Sequence, residues 1–253
     1  MNRTGPCVSF ASAAVTAMLA GGATADEPCR FPAGGQASVA AIRDGRTLLL
    51  TDGREVRLAA IETADDKGDA LRSLVASRTV RLEQMDTRLD RYGRVIAFVY
   101  TEDMPRSIQH ALVAHGHARV SARIGNKACA KELLDTEREA RSARRGIWAD
   151  PNFAPLPSHD LAGISAARGR FALVEGRVLS VREAGATIYL NFGRRWTRDF
   201  ALTVLKRRRR DFAAAGIDLK DLEGRRIRVR GWVELRSGPQ IEATAPEQIE
   251  IVN

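Results

Sequence analysis

Three short stretches decide how this chain is read: Ile42-Arg-Asp-Gly-Arg-Thr47, Arg57-Leu-Ala-Ala-Ile-Glu-Thr-Ala-Asp65 and Asp90-Arg-Tyr-Gly-Arg94. Asp44-Gly45 is a hairpin signal, because a tight two-residue turn needs positive φ and glycine supplies it cheaply. It separates apolar runs at 38–42 and 47–51, both read as strands. Asp52-Gly53 is a second such signal, and 55–61 reads as the next strand. Alternation along that strand puts residues 57 and 61 on one face, with the 62–65 turn at its end. Tyr92-Gly93 leads into a stronger apolar strand at 94–100.

Working outward, 66–77 places Ala70, Leu71, Leu74 and Val75 at helical spacing, and 79–84 alternates as a strand. Residues 107–115 and 127–144 read as helices, the first with Ile108, Ala111, Leu112 and Ala114 on one face. The order strand, strand, strand, helix, strand, strand is that of an OB barrel, here with helices appended. Residues 171–181, 186–192 and 199–204 read as strands, 206–215 as a helix, and 227–235, 240–243 and 248–252 as strands. That is the same order again. Between the two parts, 150–168 opens with three prolines at 151, 155 and 157, which remove donors and disfavour helix, so it reads as a linker or an extended arm. The expected fold class is mainly β with helices (α+β): a barrel with appended helices at 26–149, the linker at 150–168, and a second small OB-like barrel at 169–253.

The residue types in the opening stretches suit phosphodiester chemistry. Hydrolysis requires charge stabilisation on a pentacovalent phosphate, an in-line grip, and removal of a proton from water. Arginine grips phosphate oxygens with a planar fork, and a carboxylate serves as base. Arg57, Arg94, Glu62 and Asp65 supply these types. Each alone has a plainer reading: Arg57 a surface strand charge, Arg94 a solvated cation beside a turn, Asp90 and Tyr92 residues that shape it. His110, His115 and His117 straddle a helix end without a nearby Cys or acidic partner, a poor arrangement for a metal.

Taken together the stretches resemble the thermonuclease family, the calcium-dependent staphylococcal-nuclease-like enzymes. The resemblance runs through Asp44-Gly-Arg-Thr47, Arg57 to Asp65, Asp90 to Arg94, the helix end Leu112-Val-Ala-His-Gly-His-Ala-Arg-Val120 and the closing Gly146-Ile-Trp148, and covers roughly 37–149. It implies that Arg57 and Arg94 stabilise phosphate and that Asp65 is the general base or water positioner. It implies calcium ligation by Glu62 and by the Thr63 carbonyl. Three carboxylate positions depart from the family pattern. Glu62 replaces an aspartate and Asp65 a glutamate, each a shift of about one ångström at the oxygen, enough to cost ~100-fold in rate. Arg46 stands where the family has a calcium-binding aspartate, so calcium meets a fixed cation where it needs charge. Calcium therefore enters as a weakened expectation, with Arg46 either reducing metal affinity or neutralising phosphate directly. The expected partner is DNA or RNA, and the expected function is hydrolysis of its phosphodiester bonds. The rival is a module that keeps its arginines and binds nucleic acid without efficient cleavage.

Bulk properties agree with an anionic partner. The formal net charge is +9 and the pI about 10.2, which argues about partners rather than fold. Lys206-Arg-Arg-Arg-Arg210 is a dense cationic run that reads either as a solvated helix face or as a nucleic-acid contact, and Arg46 and Tyr92 join it as candidate contacts. Tyr189, Phe192, Trp196 and Trp232 offer rings that pack a core or stack bases. Arg3, an apolar run at 7–20 and Ala23-Thr-Ala25 read as a signal peptide, with cleavage after Ala25 and export to the periplasm or medium. Cys29 and Cys129 then remain as a pair that an oxidising compartment would join, worth about 3–5 kcal/mol by loop closure. No later segment is long and apolar enough to span a membrane.

Overall fold

A computed structural model describes Met1 and residues 29–64, 66–121 and 124–252. The expected signal segment and Asp65 lie outside the described residues. The first body is built from β1 (Ala33–Asp44), β2 (Thr47–Leu50), β3 (Glu55–Leu58), β4 (Ile61–Thr63), α1 (Asp69–Val75), β5 (Thr79–Gln84), β6 (Val95–Tyr100), α2 (Ile108–Ala114), β7 (Ala118–Val120) and α3 (Lys127–Ser142). Strands β1-β2-β3-β6-β5 close a barrel. The long first strand pairs with β5 through its early residues and with β2 through its late ones, while β3 and β6 run parallel. Val56, Leu58, Val80, Leu82, Ala97 and Val99 fill the interior, each at most 2% exposed.

One strand differs from its sequence reading. The run 55–61 is interrupted: β3 ends at Leu58, Ala60 takes φ 64°, and Ile61 starts β4, which pairs with β7 and lies off the barrel. A left-handed non-glycine residue is uncommon and reverses the local path of the chain. The simple alternation linking residues 57 and 61 therefore does not hold. The helix at 127–144 is α3, whose N-cap Asn126 accepts from the Cys129 amide at 3.0 Å. Cys129 forms a disulfide with Cys29.

The second body comprises β8 (Leu156–Pro157), α4 (Leu161–Ala166), β9 (Phe171–Arg177), β10 (Ser180–Ala184), β11 (Thr187–Asn191), β12 (Ala201–Leu205), α5 (Arg209–Ala214), β13 (Arg226–Leu235), β14 (Pro239–Ala243) and β15 (Ile249–Ile251). Its sheet runs β10-β11-β12-β14-β13-β9-β8, with β15 on β13. The strand read at 171–181 is split into β9 and β10, which bracket opposite ends of the curl. β12 and β14 run parallel. The order is thus that of the first barrel, with its first strand broken in two. The proline-rich stretch is built in: β8 pairs with β9, and Ile164 of α4 is fully buried in the second core.

The two bodies are packed together. Ala140, Trp148, Phe171 and Leu173 form a small shared apolar cluster. Beside it, Arg230 of β13 is buried and donates to Glu137 of α3 at 3.0 and 3.1 Å and to the Val120 carbonyl at 2.9 Å. Arg230 also pairs with Glu250, and Arg141 donates to Glu137 at 2.8 Å. Among the described residues no helix is long and apolar enough to cross a membrane.

Candidate phosphate site

The site grows from the β1–β2 turn. Asp44 accepts the Arg46 amide at 2.8 Å and the Thr47 hydroxyl at 3.0 Å, which fixes the turn. The buried Thr47 in turn receives Arg57 Nη1 at 3.1 Å, and Asp44 lies 3.5 Å from the same nitrogen. Arg57 sits on β3 opposite Thr47, so strand register delivers this contact. Burial lowers the Arg57 pKa, and the neighbouring charges of Arg46 and Arg94 lower it further. Arg57 therefore has a cation on either side, Arg46 from the β1–β2 turn and Arg94 from just before β6, the strand parallel to β3.

Arg94 is held by its own turn. Its Nε and Nη2 donate to Asp90 at 2.8 and 2.7 Å, and Asp90 also accepts the amides of Tyr92 and Arg94 at 2.8 and 3.0 Å. Burial pushes the Asp90 carboxyl up, but these bonds outweigh it and hold the pKa below the usual value. Tyr92 is 64% exposed, and the guanidinium groups of Arg91 and Arg94 each lie 4.8 Å from its ring. Asp90 and Tyr92 therefore shape the turn and orient Arg94, and Tyr92 still presents an open ring.

Arg46 forms an ion pair with Glu62 and donates to the Ile61 carbonyl at 2.8 Å. The left-handed turn at Ala60 is what brings that carbonyl and carboxylate to it. The calcium ion implied by the resemblance does not fit this donor set. A hard cation needs several oxygen ligands and their negative charge. Here a fixed guanidinium already occupies Glu62, and Arg46 itself is a cation. Among the described residues no group of three or more His, Cys, Asp or Glu is arranged to hold a metal. Thr63 lies on β4, cross-strand from Ala118, and Asp65 falls outside the described residues.

Sequence reasoning missed Arg119. It is the cross-strand partner of Glu62, and its guanidinium lies 5.5 Å from the Phe153 ring and 5.2 Å from that of Phe171. No local spacing signals it, because its partners come from distant elements. The basic run at 206–210 is at the end of β12, outside the arginine cluster. Lys206 and Arg209 pair with Glu183 at 3.1 and 3.6 Å, and Arg208 with Asp211 at 3.3 Å, while Arg207 and Arg210 are exposed.

Comparison with known proteins gives this geometry a context. Residues 57–150 match the family model described as staphylococcal nuclease homologue. Protein ParB of Escherichia coli is 33% identical over 131 residues, 45% of this chain and 72% of that protein. An uncharacterized endonuclease of Escherichia coli is 30% identical over 129 residues, 47% of this chain and 79% of its own length. A micrococcal nuclease of Shigella flexneri is 32% identical over 129 residues, 45% of this chain and 74% of that protein. The family match ends before the second barrel.

Proposed function

Because the chain belongs to the staphylococcal nuclease family, we propose that it binds nucleic acid at Arg46, Arg57 and Arg94 and hydrolyses its phosphodiester bonds. The observation that carries this reading is the placement of the three arginines together: Arg46 and Arg57 both engage the Asp44 turn, and Arg94 leads into β6, the parallel neighbour of the strand that carries Arg57. In this reading the arginines grip the phosphate and neutralise the charge that builds on its oxygens during attack. A carboxylate takes the proton from the attacking water, and Asp65 is the residue expected to do so. Arg46 supplies fixed positive charge at the position where relatives of the family pattern would recruit a metal. The expected activity is slow and indifferent to chelators.

The test is to incubate the protein with single-stranded DNA, duplex DNA and RNA, in calcium, magnesium or EDTA, and to follow product length. Shortening that persists in EDTA and is lost in Arg94→Ala supports the reading. No cleavage above the Arg94→Ala control in any condition refutes hydrolysis. The second reading, a nucleic-acid-binding module without efficient cleavage, is favoured by the Arg46–Glu62 ion pair, which engages one of the site's carboxylates.

We also infer export by a signal peptide at 1–25. The Cys29–Cys129 disulfide supports this, since such bonds persist in oxidising compartments.

A further inference from the structure

The outward face of the second barrel carries one continuous row of side chains. Strand register aligns Arg182 with Tyr189, Tyr189 with Thr203, and Thr203 with Glu242. Val233 pairs with Ile241, so the next step of that antiparallel register sets Trp232 beside Glu242. Their neighbours Ile188, Leu190, Leu202, Val204 and Ile241 are all buried in the core, which leaves the row on the opposite face. Five strands at about 4.8 Å spacing make the row roughly 19 Å long.

The row floors a groove of about 840 Å³. The 193–199 loop walls it on one side and brings in Trp196, which is 72% exposed. The 236–238 turn forms another wall and adds Arg236. At the other end of the row Trp232, 51% exposed, lines a cleft of about 450 Å³ together with Glu62 and Ser121 of the first barrel. Glu242 lines both depressions, so they adjoin. Phe171 meets Trp232 edge-on with centroids 6.3 Å apart and is itself covered by Arg119. Trp232 is thereby braced against the strand pair that carries Glu62, the partner of Arg46.

We propose that this face is a track for single-stranded nucleic acid that leads the strand to the arginine cluster. The proposal rests on the phosphodiester reading above. Exposed rings at Trp196 and Trp232 and the half-buried ring of Tyr189 offer stacking surfaces that accept any base, and stacking is available only where bases are unpaired. Arg182, Arg194 and Arg236 line the same groove and match a phosphate backbone; Arg236 exchanges its exposed pairing with Glu234 for this. Glu62, Glu234 and Glu242 line the cleft end. They repel phosphate there and accept hydrogen bonds from base amino groups, so the strand enters the cleft base first. A duplex keeps its bases stacked inside and makes no use of these rings.

The test uses the full-length chain in EDTA, with fluorescence polarisation of a labelled oligothymidylate and of a duplex of the same length. Single strand is expected to bind more tightly than duplex and to quench tryptophan emission. Trp196→Ala and Arg182→Glu are each expected to weaken single-strand binding about tenfold or more. Trp196→Phe, which keeps a ring, is expected to bind within a few-fold of the parent. Hydrolysis of bis(p-nitrophenyl) phosphate, too small to reach the groove, is expected to be unchanged in Trp196→Ala. Equal binding of duplex and single strand overturns the track, as does parental affinity in both Trp196→Ala and Arg182→Glu. Absence of hydrolysis in the parent with these binding differences intact refutes the hydrolase reading and leaves the track standing.

Discussion

At the residue scale, Arg46 sets the charge of its corner of the molecule. A single guanidinium pairs with Glu62 and bonds the Ile61 carbonyl, converting an oxygen-lined corner into a cationic one. Replacing it removes a cation and adds a carboxylate on the same turn. Arg46→Asp is therefore expected to bind calcium measurably more tightly than the parent in titration calorimetry. An unchanged heat signature would show that Glu62 and its neighbours cannot be assembled around a cation even when Arg46 is gone. Arg57 and Arg94 differ from Arg46 in how they are held: Arg94 is tied by Asp90 of its own turn, and Arg57 on β3 by Asp44 of the neighbouring β1–β2 turn. Those carboxylates spend their hydrogen bonds on orientation, which explains why the site has so few left for a metal.

At the scale of elements, the motif glycines have a clear physical task. Gly116 ends the region after α2 with φ 72°, and Gly146 lies in the turn after α3 with φ 52°. A Cβ on Gly116 would fall 2.1 Å from the Arg145 carbonyl oxygen, and one on Gly146 would fall 2.4 Å from that of Gly116. The two backbones touch, and the Ile147 amide donates to the Gly116 carbonyl at 2.9 Å. Gly116→Ala is expected to lower stability by at least about 1–2 kcal/mol from the left-handed backbone alone. A urea midpoint equal to that of the parent would contradict this. The strands and helices of both barrels were legible because alternation, helical spacing and Asp-Gly turns are local signals. The break at Ala60 was not, since nothing in Leu58-Ala-Ala-Ile61 demands a left-handed residue; pairing of Ile61 with distant Val120 imposes it. The arginine pair Arg57 and Arg94 could be read from the joint motif. The Arg46–Glu62 ion pair and the Arg119 stack could not, because each joins residues brought together only by tertiary folding. The ordered 150–168 stretch escaped for the same reason: its prolines spoke against helix, while its docking depends on Val174 and the second core.

At the scale of the whole molecule, a buried ionic network clasps the two barrels. Glu137 is fully buried and receives both Arg230 and Arg141, and Glu250 receives Arg230, Arg228 and Arg141. Burial pushes the Glu250 carboxyl up, but the charges of Arg230, Arg141 and Arg228 outweigh it and hold it below the ordinary 4.5. A depressed carboxylate contributes stability that is present above its unfolded pKa and is lost as pH falls through the folded one. The urea midpoint gap between the parent and Glu250→Gln is therefore expected to be widest at neutral pH and to shrink steadily below about pH 4.5. A gap that stays constant under acid would refute this assignment. Removing one member of such a buried set leaves the others uncompensated, so the clasp specifies one docking geometry even where an apolar substitute would hold as firmly.

Val120 occupies a singular place in that clasp. Its amide donates to Glu137 at 2.6 Å, its carbonyl accepts from Arg230 at 2.9 Å, and across the β4–β7 pair it faces Ile61, the residue before Glu62. One peptide strand thus touches the second barrel on one side and the strand carrying the Glu62–Arg46 ion pair on the other. Its amide proton is a built-in gauge of that seam: deuterium enters there when the bond to Glu137 of α3 opens, and Glu137 is the carboxylate that Arg230 of the second barrel docks on. Exchange at this one position consequently reports, without any label or mutation, how often the carboxylate at the centre of the clasp lets go.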